Sequence, residues 1–265
     1  MFRSDYKTIR CEAKNRVARI VFSRPEVHNA FNNDMIAEML EVVGILREAP
    51  RVRVVVLTGE GKSFCAGADV NWMRSVLDFS FDENYAESLR LAELMHGVYT
   101  LDLPTIAMIN GAAIGGGMGF VSTADIAIAA SNAKFSLSEV KLGLVPACIS
   151  PYVIKKAGEA ACRRLMLTGE RVGAEEALRV GLVNAVVDPD ELESTVETLV
   201  DRLVSSGPGA IAACKKLLRE VPGMTLEEAK TFTAEVLAHL RLSDEGQEGM
   251  RAFLEKRKPS WADKK

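Results

Sequence analysis

A lone glutamate in an apolar run and two turns rich in glycine and alanine are the residues of this chain best placed to do chemistry. Glu139 stands in "KFSLSEVKLGLVP" among Phe135, Leu137, Val140, Leu142 and Leu144. A carboxyl group in apolar surroundings loses the solvation of its charged form. Its pKa then rises toward the range where it can give and take protons near neutrality. The turns are "SFCAGADVNWM" (63–73) and "NGAAIGGGMGF" (110–120). Each reads as a strand-to-helix junction, where small side chains bare the backbone N–H groups and a helix start aims them at a negative oxygen. The chemistry on offer is proton transfer beside a stabilised oxyanion. Each signal also has a plainer reading: Asp69 as a helix N-cap, glycines for close helix packing, and a solvent-facing turn glutamate.

Several alternatives fail on spacing. A dinucleotide fingerprint begun at Gly115 would need its third glycine where Phe120 stands. No G-x-x-x-x-G-K-[ST] occurs, and no serine lies between the glycines to form a nucleophile elbow. The five cysteines (Cys11, Cys65, Cys148, Cys162, Cys214) form no C-x-x-C pair and read as buried free thiols in a reducing cytoplasm. With only three histidines, at 28, 96 and 239, no metal site is expected. A net charge of −3 argues against nucleic acid or an anionic membrane as the main partner. The start has no apolar h-region and no run reaches membrane-span length, so a cytoplasmic protein is expected.

The elements that must carry these residues alternate. "RVARIVFS" (16–23) and "RVRVVVLTG" (51–59) read as strands, with a helix between them through Ile36, Met39, Leu40, Val43 and Leu46. A second helix lies around "ESLRLAELMHGVYTLDLP". The strands "PTIAMIN", "DIAIAA" (125–130) and "VNAVV" (183–187) follow. Such alternation predicts an α/β fold with mostly parallel pairing. Strand signals stop near residue 190. Beyond it, Asp190/Glu193 and Thr225/Glu228 have capping-box spacing, and Met250, Phe253 and Leu254 share one helix face. The chain therefore divides into a core over 1–189 and a helical region over 190–265.

"CAGAD", then "NGAAIGGG", then "SEVKLGL", in that order, resembles the crotonase (enoyl-CoA hydratase/isomerase) superfamily. "SRPEVHNAFNNDMI", "LTGERVGAEEALRVGLVNAVV" and "FLEKRKPSW" extend the resemblance over nearly the whole chain. It implies a spiral of ββα units with a C-terminal helical region that builds homotrimers or homohexamers. It implies an acyl-CoA thioester as substrate, coenzyme A entering with it and no separate cofactor. The thioester oxygen is then held by the N–H groups of Ala68 and Gly116, with Glu139 as acid and base. Ala66 and the backbone near Ala30 correspond to the adenine pocket, and Asp69, Gly115 and Gly119 are expected to bind the acyl-CoA beside the donors. Phe253 and Lys256 match a pair that, in relatives, reaches the coenzyme A of a neighbouring subunit.

One departure stands out. The two-glutamate hydratases carry a glutamate just after the glycine triplet, in a G-G-G-x-E pattern, whereas here Met118 and Gly119 follow it. The run after Glu139 is also altered, to "VPACISPYVI". One base can shuttle a proton between two carbons, which suits a Δ3,Δ2-enoyl-CoA isomerase. Against that, "FCAGADVNWMR" with "LSEVKLGLVPACISPYVI" is similar to the bacterial methylglutaconyl-CoA hydratases of leucine degradation, which share the single-glutamate arrangement. The expectation is therefore a hydratase acting on a 2,3 double bond, with the isomerase and a catalytically weak acyl-CoA binder as alternatives. A distal carboxylate on such a substrate would ask for a cation, and Arg74 is near enough to be considered, although a solvated helix arginine is its plainer reading.

Overall fold

The computed structural model describes residues 2–262. Its strands are β1 (Ile9–Lys14), β2 (Val17–Phe22), β3 (Val54–Gly59), β4 (Ser63–Cys65), β5 (Thr105–Ile109), β6 (Ala112–Ile114), β7 (Ile126–Ala130), β8 (Lys134–Ser136), β9 (Arg171–Gly173) and β10 (Ala185–Val187). Through the first part of the chain they are interleaved with α1 (Asn33–Arg47), α2 (Val70–Ser75), α3 (Phe81–Tyr99), α4 (Gly117–Thr123), α5 (Ser150–Thr168) and α6 (Ala174–Arg179). The helices α7 (Leu192–Val204), α8 (Pro208–Glu220), α9 (Leu226–Leu242) and α10 (Asp244–Leu254) end it. No described helix is long and apolar enough to cross a membrane.

The repeating unit is strand, strand, helix. A six-stranded sheet runs β1-β2-β3-β5-β7-β10 and a four-stranded one runs β4-β6-β8-β9. From β3 to β8, each turn of the spiral gives its first strand to the large sheet and its second to the small one; β9 then joins the small sheet and β10 the large. Among the described strands only the β1/β2 hairpin and the β8/β9 pair are antiparallel. The expected α/β fold with mostly parallel pairing and a ββα spiral is what forms. The small sheet was invisible to periodicity because its strands are three residues long. Yet it sets the site, by laying Cys65 beside Ala113 and Ala113 beside Phe135.

The central strands are buried on both faces, which is why they read as unbroken Val/Ile runs rather than alternating ones. Leu57, Ala107 and Ile109 face a core shared with α1, α3 and α4, including Met39, Leu94 and Phe120. Val54, Val56, Ile106 and Met108 face a second cluster closed by Leu192 and Val196 of α7. The first helix past residue 190 thus belongs to the packing of the sheet.

Local expectations fared unevenly. The Thr225/Glu228 capping box forms, each backbone N–H donating to the other side chain. The Asp190/Glu193 box does not. α7 starts one residue later from a 3₁₀ turn, and Glu193 instead receives Arg19 of the neighbouring strand. The cysteines are all free, but only Cys65 and Cys162 are buried; Cys11 and Cys148 are half-buried and Cys214 is exposed.

Candidate active site

The small sheet brings the two junctions and Glu139 to one end of three adjacent strands. Gly67, between Ala66 and Ala68, has φ +92°, and a Cβ there would lie 2.8 Å from the Ile114 carbonyl oxygen and 3.7 Å from the Gly116 nitrogen. The two junctions therefore touch backbone to backbone. At Gly117 a Cβ would lie 2.2 Å from the Cys65 carbonyl oxygen, so any side chain would force the α4 start away from "CAGAD". Glycine at these points is a condition of the approach, not a device for phosphate.

The direction of the Ala68 N–H follows from the backbone pattern. The Phe31 N–H donates to the Gly67 carbonyl and the Asp69 N–H donates to the Phe31 carbonyl. In this parallel bridge the N–H of the residue between them, Ala68, points the other way. Neither that N–H nor the one of Gly116 at the head of α4 donates to another group among the described residues. Two free donors on adjacent backbones are what a developing oxyanion requires.

Ala66, Ala68, Gly115, Gly116 and Glu139 line one cavity of about 560 Å³, large enough for an acyl group and part of its carrier. Glu139 sits on a 3₁₀ turn (Ser138–Leu142) with Oε1 3.2 Å from where a Cβ of Gly115 would stand. Its Oε2 is buried without a hydrogen-bond partner. Burial pushes its carboxyl pKa up. The apolar neighbours differ from those expected. Phe135 and Leu137 are buried, whereas Leu142 and Leu144 are 62% and 56% exposed at the cavity rim.

Other expected site residues fall elsewhere. Asp69 is not free to hold a ligand: Oδ1 caps α2 through the Asn71 N–H and Oδ2 receives Arg24 Nη2 at 2.6 Å. Ala30 is buried outside the cavity lining, its carbonyl accepting from Arg24. Gly119 is walled off inside α4 by Met95 and Ile149. Phe253 (83% exposed) and Lys256 lie on the helical tail, outside this lining. Lys256 is left-handed (φ 54°) in the Schellman end of α10, where the Arg257 N–H donates to the Ala252 carbonyl.

Arg24 and Asp69 form a buried pair that moors the Ala68 segment. Burial alone would raise the Asp69 carboxyl. The Arg24 hydrogen bond and the N–H groups of Asn71 and Trp72 outweigh it and hold the pKa below the usual value. That pair stabilises the fold above the ordinary aspartate pKa, and the contribution is lost as pH falls through the lowered one. Arg24→Ala strands a carboxylate on a residue only 4% exposed and is expected to cost about 3–5 kcal/mol. Thermal melts at neutral pH and near pH 3 check this, because the deficit shrinks once Asp69 is protonated.

Residues passed over in the sequence complete the wall. Phe31 lies over Gly116, its Cε1 2.3 Å from where a Cβ would stand, and its ring meets that of Trp72 at 5.4 Å. On α3, Asn84, Glu87, Ser88 and Leu91 face the cavity at helical spacing. That stripe was the available signal, but a polar helix face reads equally as solvated.

The family model described as enoyl-CoA hydratase/isomerase matches residues 12–264. The chain belongs to that family. It is 34% identical to the short-chain-enoyl-CoA hydratase of Clostridium acetobutylicum, over 93% of this chain and 94% of that one. It is 38% identical to the carnitinyl-CoA dehydratase of Escherichia coli strain K12, over 92% and 94%. The crystal structure of an enoyl-CoA hydratase from Shewanella pealeana superposes with a TM-score of 0.94 at 40% identity, covering 97% of each chain.

Proposed function

We infer that the protein adds water across, or removes it from, the 2,3 double bond of an enoyl-CoA thioester. The observation that carries the reading is the meeting of two unpartnered N–H groups and a desolvated carboxyl in one cavity. With the thioester oxygen between Ala68 and Gly116, charge that develops as the β-carbon is attacked falls on two preorganised donors. One such donor is worth about 2.7–4 kcal/mol in well-studied cases. Glu139, whose protonated form burial favours, gives the proton to the α-carbon in hydration and takes it back in dehydration.

For the acyl group, 3-methylglutaconyl-CoA heads the panel on sequence resemblance. Among the described residues no lysine, arginine or histidine lines the cavity, and Arg74 is exposed beside Asn71. A cation for its distal carboxylate would come from a neighbouring subunit. Homotrimers or homohexamers fit the exposed apolar face of Met250, Phe253 and Leu254, and a cytoplasmic setting fits the substrate class. The second reading, Δ3,Δ2-isomerisation, rests on Gly119 standing where a second glutamate would. Incubating crotonyl-CoA, 3-methylglutaconyl-CoA and a 3-enoyl-CoA in ¹⁸O-water separates the two. Label in a 3-hydroxyacyl product is expected; a shifted double bond with no label would overturn hydration, and binding without turnover would overturn both.

A further inference from the structure

The cavity holds a second carboxylate, from an element other than the one that supplies it in two-glutamate hydratases. Glu87 of α3 lines the same space as Glu139. Its Oε1 accepts two hydrogen bonds, from Trp72 Nε1 at 2.8 Å and Asn33 Nδ2 at 2.6 Å. Its Oε2 has no partner among the described residues. The side chain is thus clamped through one oxygen by α1 and α2, with the other left to accept.

The clamp also ties Glu87 to the donor backbone. Trp72 is one turn beyond Ala68 and packs on Phe31, which is bridged to Ala68. Glu139 lies against Gly115, beside the other oxyanion donor. Both carboxyl groups therefore line the cavity that Ala68 and Gly116 line. The two environments differ: Glu139 has a buried, unpartnered oxygen, whereas Glu87 is held by two N–H donors.

We propose that Glu87 is the general base that activates the water, leaving Glu139 to handle only the α-proton; the proposal rests on the hydratase reading above. In hydration, Glu87 takes one proton from water as the water oxygen bonds to the β-carbon. The π pair of the double bond moves into an enolate whose charge sits on the thioester oxygen, facing Ala68 and Gly116. Glu139 then gives its proton to the α-carbon as the enolate collapses. One water is consumed, and the proton gained by Glu87 and lost by Glu139 is restored through solvent. Dehydration runs the same steps backward.

Glu87→Gln tests this cleanly, because glutamine keeps the amide oxygen that Trp72 and Asn33 need and removes only the base. Hydration is expected to fall about 10²–10³-fold in kcat with KM little changed. Exchange of the α-protons of butyryl-CoA with deuterated water needs only Glu139 and the oxyanion donors, and is expected to persist. Glu87→Asp withdraws the carboxylate by one methylene and should lose at least about tenfold in hydration, again with exchange intact. It decides the matter if the glutamine variant folds poorly. Hydration kept within threefold in a folded variant would overturn the role of Glu87 alone. Equal loss of hydration and exchange would overturn it too, making Glu87 a support for the oxyanion wall. A wild-type enzyme that exchanges but hydrates nothing would overturn the hydratase reading and this proposal with it.

Discussion

Glu139→Gln is expected to remove hydration almost entirely, by about 10³-fold in kcat, while making the protein more stable. Both effects come from one fact. Glu139 Oε2 is buried without a partner, so the ionised form is held where it is poorly solvated. Catalysis uses that discomfort, because a carboxyl whose pKa burial has raised stays protonated long enough to be an acid. Stability bears it. Glutamine leaves a neutral polar atom where the charge stood, so what it relieves is the buried charge, about 1 kcal/mol with the cavity open to solvent. The sign follows from linkage. A carboxyl whose folded pKa is raised contributes fully below the ordinary glutamate pKa and loses that contribution as pH rises through the raised one. The variant should therefore melt about 2–4 °C above the wild type at neutral pH. That difference should close as pH drops below the usual carboxylate range. Activity within tenfold of wild type would remove Glu139 from the mechanism. A lowered melting temperature with activity lost would mean the side chain holds the 3₁₀ turn.

How much of this could be seen beforehand divides along physical lines. Long apolar runs such as "RVRVVVLTG" declared themselves because burial on both faces needs unbroken β-branched residues. The three constellations were visible for the opposite reason: backbone-to-backbone approach admits nothing larger than glycine or alanine. What stayed hidden was their arrangement in space. The strands β4, β6 and β8, three residues each, carry no periodicity, yet they lay "CAGAD", "GGG" and Glu139 side by side. Asp69 was misread because a cap and a ligand use the same residue type at the same junction. Its pairing with Arg24, 45 residues away, is a tertiary fact. Glu87 escaped because nothing local separates a carboxylate facing a cavity from one facing water. Only the clamp by Trp72 and Asn33 does so.

Gly119→Glu, which restores the residue that two-glutamate hydratases carry, is expected to destroy the protein rather than improve it. A Cβ at Gly119 would stand 2.5 Å from Ile149 Cγ2 and 2.8 Å from Met95 Sδ. Overpacking of this kind costs about 1–3 kcal/mol even for alanine, although the pliable Met95 softens part of it. Glutamate adds a carboxylate with no cation to meet it among fully buried Met118, Phe120 and Met95. An unpaired buried charge of that kind costs several kcal/mol more. Gly119→Ala separates the two contributions. It should lower the melting temperature by about 2–10 °C yet keep wild-type turnover per folded molecule, since Gly119 does not line the cavity. A Gly119→Glu protein that melts like wild type and hydrates as fast would show that the space is free after all. The residue that fills it, Ile149, comes from "VPACISPYVI", the other segment where the chain leaves the two-glutamate pattern. The altered segment after Glu139 thus delivers the isoleucine against which a side chain at position 119 would press. The second carboxylate at the cavity comes instead from α3, which presents Glu87.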